Sequence, residues 1–227
     1  MYDIHALFKA DLARQPESGM GYQLVEVQLA KSNRMEAGIA YNGELLVLAD
    51  EPVIKLSRES FRAMVTRAPS ATGEIKSLHV IQKSRAYSLD ARARELLGLR
   101  TATSSVGSGP ASEAPEEETK EGEVFKRFVA YDTDFRLQSD GSWSDGTYAT
   151  TEEDAKKVST GSEAVRRYAL PNPAPASYKW TGKPKKDTKI KRGTAQPAFG
   201  QPGGGAEVIF TKGTQPNTVT GPEKIPD

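Results

Sequence analysis

The sequence predicts an α+β protein with two folded parts on either side of a flexible linker. Short apolar segments with strand character alternate with segments of helical periodicity. The stretch TATSSVGSGPASEAPEEETKEG, residues 101–122, contains no Leu, Ile, Phe, Tyr or Trp, so it buries too little apolar surface to offset the entropy of ordering. After it, Gly, Pro and short strand-like segments become more frequent. We therefore predict domains over residues 1–100 and 123–227.

The first domain is predicted to be a small α+β accessory domain for delivery, regulation or partner binding. Apolar residues from Ile4 to Leu12 recur at helical spacing, and the helix is expected to stop before Pro16. No set of residues in this domain indicates a catalytic site. His79 is predicted to be a core residue. The other expected elements are strands at 22–30, 43–49 and 78–82, with a turn near 42–43 joining the first two, and helices at 57–65 and 88–99.

The second domain is predicted to consist mainly of short strands. One helix is expected at 151–158, where Thr150 or Thr151 can cap it and three acidic residues suit the positive end of its dipole. The tail after residue 218 is expected to be a loop that packs across the last strand. The expected strands are 124–131, 146–150, 168–171, 188–193 and 207–210.

Composition restricts the chemistry. The chain has no cysteine, which excludes metal sites with thiolate ligands. It has two histidines, His5 and His79, which makes a serine–histidine triad unfavourable. We expect no metal, and chemistry that uses carboxylates, arginines and amides. Lys+Arg number 31 and Asp+Glu 30, which gives no overall field for nucleic acid. The mean hydropathy is -0.57 and no signal peptide is recognisable, so we expect no membrane partner and synthesis in the cytoplasm, with signal-independent delivery into a target cell left open.

The segment FGQPGGGAEVIF, residues 199–210, is the most distinctive stretch. Glycines without Cβ let a ligand approach the backbone closely, and Glu207 stands at the start of an apolar strand. The segment is not a phosphate loop, because the usual lysine is missing, and not a dinucleotide fingerprint, because a strand follows it. A carboxylate held there could stabilise an oxocarbenium ion or orient an attacking group.

Three features in order along the second domain resemble the ADP-ribosyltransferase superfamily. Arg127 lies within an apolar strand, 146–150 leads into a helix, and Glu207 opens a late strand. FGQPGGG is similar to the hallmark of the necrotizing-toxin family of NAD glycohydrolases. In that family an Arg-Phe pair, an aromatic residue, an arginine before Leu-Pro and a glutamine recur. They correspond here to Arg127-Phe128, Phe135, Arg167 with Arg166 as an alternative, and Gln201.

The resemblance implies a split β-sandwich around an NAD cleft, and a bacterial toxin or effector that cleaves the nicotinamide–ribose bond of NAD or transfers the ADP-ribose. NAD is then the substrate, and a protein that protects the producer, an immunity protein, is an expected partner. Gln201 and Glu207 are the predicted catalytic residues. The predicted NAD-binding residues are Arg127, Thr147, Tyr148, Arg167, Gly203 and Gly204.

The sequence departs from these families at several positions. Val129 follows the Arg-Phe pair where the toxin family has glycine, and Tyr168 separates Arg167 from Ala-Leu-Pro. Gly205 stands where arginine-modifying transferases carry an acid or amide, so water or another acceptor is favoured over arginine. Two other functions remain open: a non-enzymatic interaction module with this fold, and a nucleic-acid binder that uses KPKKDTKIKR, residues 183–192, for which a solvated hairpin is the preferred interpretation.

Overall fold

The computed structural model describes residues 2–4, 6–30, 35–41, 45–48, 75–81, 106–171 and 174–227. Within these ranges the protein is a mixed α+β structure dominated by two antiparallel sheets, with few and short helices. The helices predicted at 57–65 and 88–99 lie outside the described residues. No helix in these ranges has the length and apolar character needed to cross a bilayer.

The N-terminal sheet has five strands in the order β1-β4-β3-β2-β5. The predicted helix and the predicted strands at 22–30, 43–49 and 78–82 are confirmed within a few residues. A strand between the first two was not predicted, because MEAGIAY contains Gly and Ala, which have weak strand propensity. His79 is exposed, so the prediction that it belongs to the core is wrong. The elements are β1 (Tyr2–Asp3), α1 (Ala6–Ala13), β2 (Tyr22–Leu29), β3 (Met35–Tyr41), β4 (Leu45–Leu48) and β5 (Ile75–Val80).

The C-terminal sheet has seven strands in the order β12-β9-β7-β8-β11-β10-β6. Its strands are antiparallel throughout, and the sheet carries an apolar cluster on each face. The strands are β6 (Glu117–Glu118), β7 (Phe125–Val129), β8 (Thr147–Thr151), β9 (Tyr178–Gly182), β10 (Lys189–Thr194), β11 (Ala206–Phe210) and β12 (Val219–Lys224). Two short helices follow β8: α2 (Glu152–Ala155) and α3 (Gly161–Arg167).

Several sequence predictions for this half need correction. Residues 168–171 are not a strand but the turn that ends α3, with Ala169 at φ 48°. Helix α3 was not predicted, although Thr160 and Glu163 form a capping box at its start. The predicted helix at 151–158 is shorter, since α2 ends at Ala155. The tail forms strand β12 on the edge of the sheet, paired with β9, which was also not predicted.

Residues 106–123, which we call the strap, are part of the fold. A 3₁₀ helix over Ala111–Glu113 and strand β6 lie along β10 and β11, and Thr119 is buried. The prediction of a flexible linker is therefore wrong for 106–122, while 101–105 lie outside the described residues.

The acidic side chains of the strap meet the basic strand β10. Lys189 Nζ lies 2.6 Å from Glu118 Oε1, and Arg192 Nε and Nη2 contact Glu117 and Glu123 at 2.5 and 2.8 Å. These ion pairs neutralise Lys189 and Arg192, two of the cations in the 183–192 segment that a nucleic-acid interface would need.

Residues 16–22, which we call the inserted segment, connect the two halves. Glu17 N–H donates to the carbonyl of Gly146, and the side chain of Met20 belongs to an apolar cluster of the C-terminal sheet. The ring of Tyr22 packs edge-on against Phe199, with 5.2 Å between centroids. The N-terminal half therefore contacts both the C-terminal sheet and the loop that precedes the three glycines.

Candidate functional site

Strands β7 and β8 pair at two positions and then separate. The paired residues are Phe125 with Thr151 and Lys126 with Thr150. Beyond them, the main-chain groups of Tyr148 form hydrogen bonds with side chains. The Tyr148 N–H donates to Glu17 Oε2 at 3.0 Å, and the Tyr148 carbonyl accepts from Arg127 Nη1 at 2.8 Å. Both main-chain groups of a residue in an antiparallel strand point to the same neighbour. Glu17 and Arg127 therefore fill the gap where the β7–β8 ladder would continue.

Arg127 is fully buried, and all five of its N–H groups have acceptors. Nη1 donates to Glu17 Oε2 and Tyr148 O, Nη2 to Glu17 Oε1 and Asp134 Oδ1, and Nε to Asp134 Oδ2, over 2.7 to 3.2 Å. Burial opposes the charge, but the Asp134 and Glu17 carboxylates outweigh it and raise the pKa of the guanidinium. With Glu17 in place, Arg127 has no donor left for a ligand phosphate.

A second buried arginine, Arg136, lies beside this pair. It donates to the carbonyls of Ala13 and Gln15 at 3.1 and 2.6 Å, where a cation suits the C-terminal end of α1. Its Nε also donates to Thr147 Oγ1 at 3.3 Å, and that hydroxyl donates to Ser144 O. Burial lowers the pKa of Arg136. Thr147, a predicted NAD-binding residue, thus serves a buried network that ties the two halves together.

The three glycines form a tight turn against the end of α3. Gly203 N–H donates to Arg166 O and Gly205 N–H to Arg167 O, at 3.1 and 3.0 Å. Gly203 has φ +67°, and a Cβ there would lie 2.4 Å from the carbonyl oxygen of Ala195. Gly204 has φ +93°, and a Cβ there would have no heavy atom within 4 Å, so this side of the backbone faces open space. The turn requires glycine at Gly203 and leaves an accessible backbone surface at Gly204.

Asp154 joins this turn to the strand that carries Glu207. Its Oδ1 and Oδ2 accept from Arg167 Nη2 and Nε at 2.6 and 2.9 Å, and Oδ2 also accepts from Ala206 N–H at 3.1 Å. Burial raises the pKa of Asp154, but the hydrogen bonds from Arg167 and Ala206 outweigh it and hold the pKa below its usual value. The side chain of Arg167 is 29% exposed, so a ligand can reach it. Arg166 is exposed.

Glu207 is buried and lies under the strap. Its Oε2 accepts from the N–H of Ala111 at 3.0 Å. The residue opposite Glu207 in the ladder is Gly193, where a Cβ would lie 2.3 Å from the nitrogen of Ala111. A glycine at this position thus admits the strap, and the strap covers the carboxylate.

Aromatic residues lie on the same face of the sheet as Glu207. Phe128 and Tyr168 stack with 5.4 Å between ring centroids, and Tyr148 and Ile209 belong to the same cluster. Burial raises the pKa of the Tyr168 hydroxyl above its ordinary value. Met20 is the member of this cluster that comes from the inserted segment.

Six of the predicted site residues fall into two groups. Arg167, Gly203 and Gly204 come together with the start of β11, and Gln201 lies in the same loop, half-buried, with its main chain bridged to Ala198. Arg127 and Thr147 belong to the buried network between the halves. Phe135 packs against the N-terminal core.

Sequence reasoning missed four contributors: Glu17, Asp134, Arg136 and the Ala111 N–H. Asp154 was noticed only as a helix-start acid. Glu17 gave no local signal because its partner Arg127 is 110 positions away. No three His, Asp or Glu side chains within the described ranges cluster in a way that could hold a metal ion.

No protein-family model matches the chain, and no curated protein matches it significantly. Among solved structures the chain is similar to Rhs1-CT in complex with its cognate immunity protein RhsI1. The similarity covers 50% of this chain and 82% of that chain, at 14% identity and a TM-score of 0.36. A likeness at this level defines neither the fold family nor the activity of the chain.

Proposed function

We propose that the C-terminal half binds NAD and cleaves its nicotinamide–ribose bond, and that the protein acts as a bacterial toxin or effector. One observation supports this above others: the carboxylate of Asp154 holds both Arg167 and the N–H of Ala206. Asp154 therefore fixes the position of a cation, Arg167, relative to the strand that carries Glu207. The glycine turn with open backbone lies beside both. The resemblance of FGQPGGG to the necrotizing-toxin family of NAD glycohydrolases supports NAD as the ligand.

The reaction needs few groups from the protein. When the C–N bond breaks, its electrons leave with neutral nicotinamide and positive charge develops on the ribose, to which water then adds with loss of a proton. Arg167 would bind one phosphate group of the dinucleotide with its exposed N–H groups, and Gly204 would let the dinucleotide lie against the backbone. Glu207 would stabilise the ribose cation, and the amide of Gln201 would orient a ribose hydroxyl or the water.

Transfer of ADP-ribose to another acceptor uses the same bond cleavage, with the acceptor in place of water. Either reaction would consume the NAD of any cell that contains the active protein. The proposal therefore includes an immunity protein that covers the site in the producer, and delivery into a target cell.

A non-enzymatic interaction module is the second candidate, and one observation favours it. Arg127 has every donor engaged within the chain, and Glu207 is covered by the strap. A protein that kept these residues only for packing would have them engaged in this way.

Chromatographic measurement of nicotinamide released from NAD separates the two. We expect release by the full chain, and a loss of about 100-fold in Glu207→Gln because a stabiliser of developing charge is removed. Glu223→Gln is the matched control, since Glu223 lies on the exposed edge strand β12. No release from the wild-type chain or from Glu17→Gln, together with no labelled ADP-ribose on any acceptor, would favour the interaction module.

A further inference from the structure

The inserted segment binds the C-terminal half as a ligand would. We propose that Arg127 and the N–H of Tyr148 form an oxyanion site, that Glu17 occupies it, and that a phosphate group takes it when Glu17 leaves. The inserted segment then inhibits the C-terminal half within the same chain. Naming the ligand as a dinucleotide rests on the proposed function, whereas the oxyanion site rests on geometry alone.

The carboxylate of Glu17 accepts four hydrogen bonds. Arg127 Nη1 and Nη2 donate at 2.7 Å each, one to each oxygen, and Tyr148 N–H donates at 3.0 Å. The fourth comes from Gly21 N–H, within the inserted segment itself, at 3.2 Å. Three of the four donors thus belong to the C-terminal half. A guanidinium fork with an adjacent main-chain N–H suits the oxygens of a phosphate as well as those of a carboxylate.

The site keeps its shape and gains charge when Glu17 is removed. Asp134 holds the other edge of the Arg127 guanidinium through Nε and Nη2, at 2.8 and 3.2 Å, so the fork stays oriented. Arg127, Arg136 and Asp134 are all buried. Without Glu17, two buried cations face one buried anion, and the excess positive charge attracts an anion.

Met20 is the second anchor of the inserted segment. Its side chain packs with Phe128, Tyr148 and Tyr168, and its Sδ accepts from Phe128 N–H at 3.1 Å. Methionine is unbranched and flexible, so its side chain can adapt to a change of position. Its departure would uncover aromatic surface next to the oxyanion site. A ligand that carries phosphate and a flat ring, as a nucleotide does, matches both vacated positions.

Calorimetric titration of the full chain with inorganic pyrophosphate tests the site. In Glu17→Gln the inserted segment loses its charge and binds Arg127 less tightly, so the fraction of molecules with an open oxyanion site rises. Pyrophosphate should therefore bind about tenfold tighter than to the wild type. Asp11→Asn is the matched control: Asp11 is an exposed carboxylate on the adjacent helix, paired with Arg14. It should bind pyrophosphate as the wild type does. Equal affinities for Glu17→Gln and the wild type would overturn the inference.

A second pair of variants covers the case in which Glu17→Gln fails to fold. Met20→Ala removes the apolar anchor and should also tighten pyrophosphate binding. Leu170→Ala truncates a buried residue of the same cluster but within the C-terminal half, so it should leave the affinity unchanged. An equal effect of the two variants, or none from Met20→Ala, would mean that the segment does not compete with the anion.

The readouts keep this inference separate from the proposed function. Tighter pyrophosphate binding by Glu17→Gln, with no nicotinamide released by any variant, would support the oxyanion site and remove NAD cleavage. Nicotinamide release at equal rates by the wild type and Glu17→Gln, with equal pyrophosphate affinities, would overturn autoinhibition and leave NAD cleavage standing.

Discussion

Arg127 and Arg167 carry the same side chain and the same sequence prediction, but the structure gives them different surroundings. Arg127 is fully buried between two strands and shares its five N–H groups among two carboxylates and a carbonyl. Arg167 ends a short helix, is partly exposed, and has one carboxylate on one edge of its fork. Burial and the number of engaged donors therefore decide whether an arginine can bind a ligand.

The largest effect should come from Arg127→Lys. An ammonium cannot reproduce the fork, so the carboxylates of Glu17 and Asp134 would stay buried without full partners. We expect a loss of about 3–5 kcal/mol in the free energy of unfolding, measured by urea denaturation. Arg167→Lys is the comparison and should cost clearly less, because solvent reaches its side chain. Equal losses would mean that the two arginines do not differ as described.

Asp154→Asn should have the next largest effect. The amide cannot hold Arg167 through charge-assisted bonds, and we expect a loss of roughly 1.5–3 kcal/mol. Because the folded carboxyl has a lowered pKa, its stabilisation is complete above the ordinary value of about 3.9 and is lost as the pH falls through the folded value. Urea denaturation across that range should show this acid-dependent loss in the wild type.

The matched control for Asp154→Asn is Glu153→Gln, an exposed carboxylate on the same helix. It should keep the acid dependence of the wild type, whereas Asp154→Asn should weaken it. The same acid dependence in both variants would show that Asp154 does not anchor the loop.

Two glycine substitutions sharpen the description of the turn beside Arg167. Gly204→Ala should cost about 1 kcal/mol, from its left-handed φ alone. Gly203→Ala should cost about 1 kcal/mol more, because its methyl group meets the Ala195 carbonyl. Thermal unfolding of both variants measures the difference. A larger loss for Gly204→Ala would contradict the open backbone surface that the NAD proposal uses.

The smallest effect is expected on the strap. Glu118 and Lys189 form an exposed ion pair. Exposed pairs contribute little because water and salt screen them. Glu118→Gln should therefore leave the unfolding temperature of the full chain unchanged at physiological salt. A clear decrease would show that these surface charges, rather than the contact of Ala111 with Gly193 and Glu207, hold the strap in place.

Local patterns predicted elements whose apolar residues follow a clear period, such as β2, β7, β8 and β11. They failed where long-range contacts decide the structure. The strap has the composition of a linker because it contains few apolar residues, yet Ala111 lies against Gly193 and its N–H donates to the Glu207 carboxylate. The oxyanion site was missed for the same reason, since Glu17 meets Arg127 only in the folded chain. Gly203 and Gly204 lie in a turn whose backbone is open at Gly204 but not at Gly203, and their role in binding NAD stays a prediction.

Release of nicotinamide from NAD should be measured for the Glu17→Gln chain with and without Glu207→Gln. We expect release by Glu17→Gln above the wild-type rate, and a loss of about 100-fold when Glu207→Gln is added. Equal release with and without Glu207→Gln, or none from either chain, would contradict this expectation.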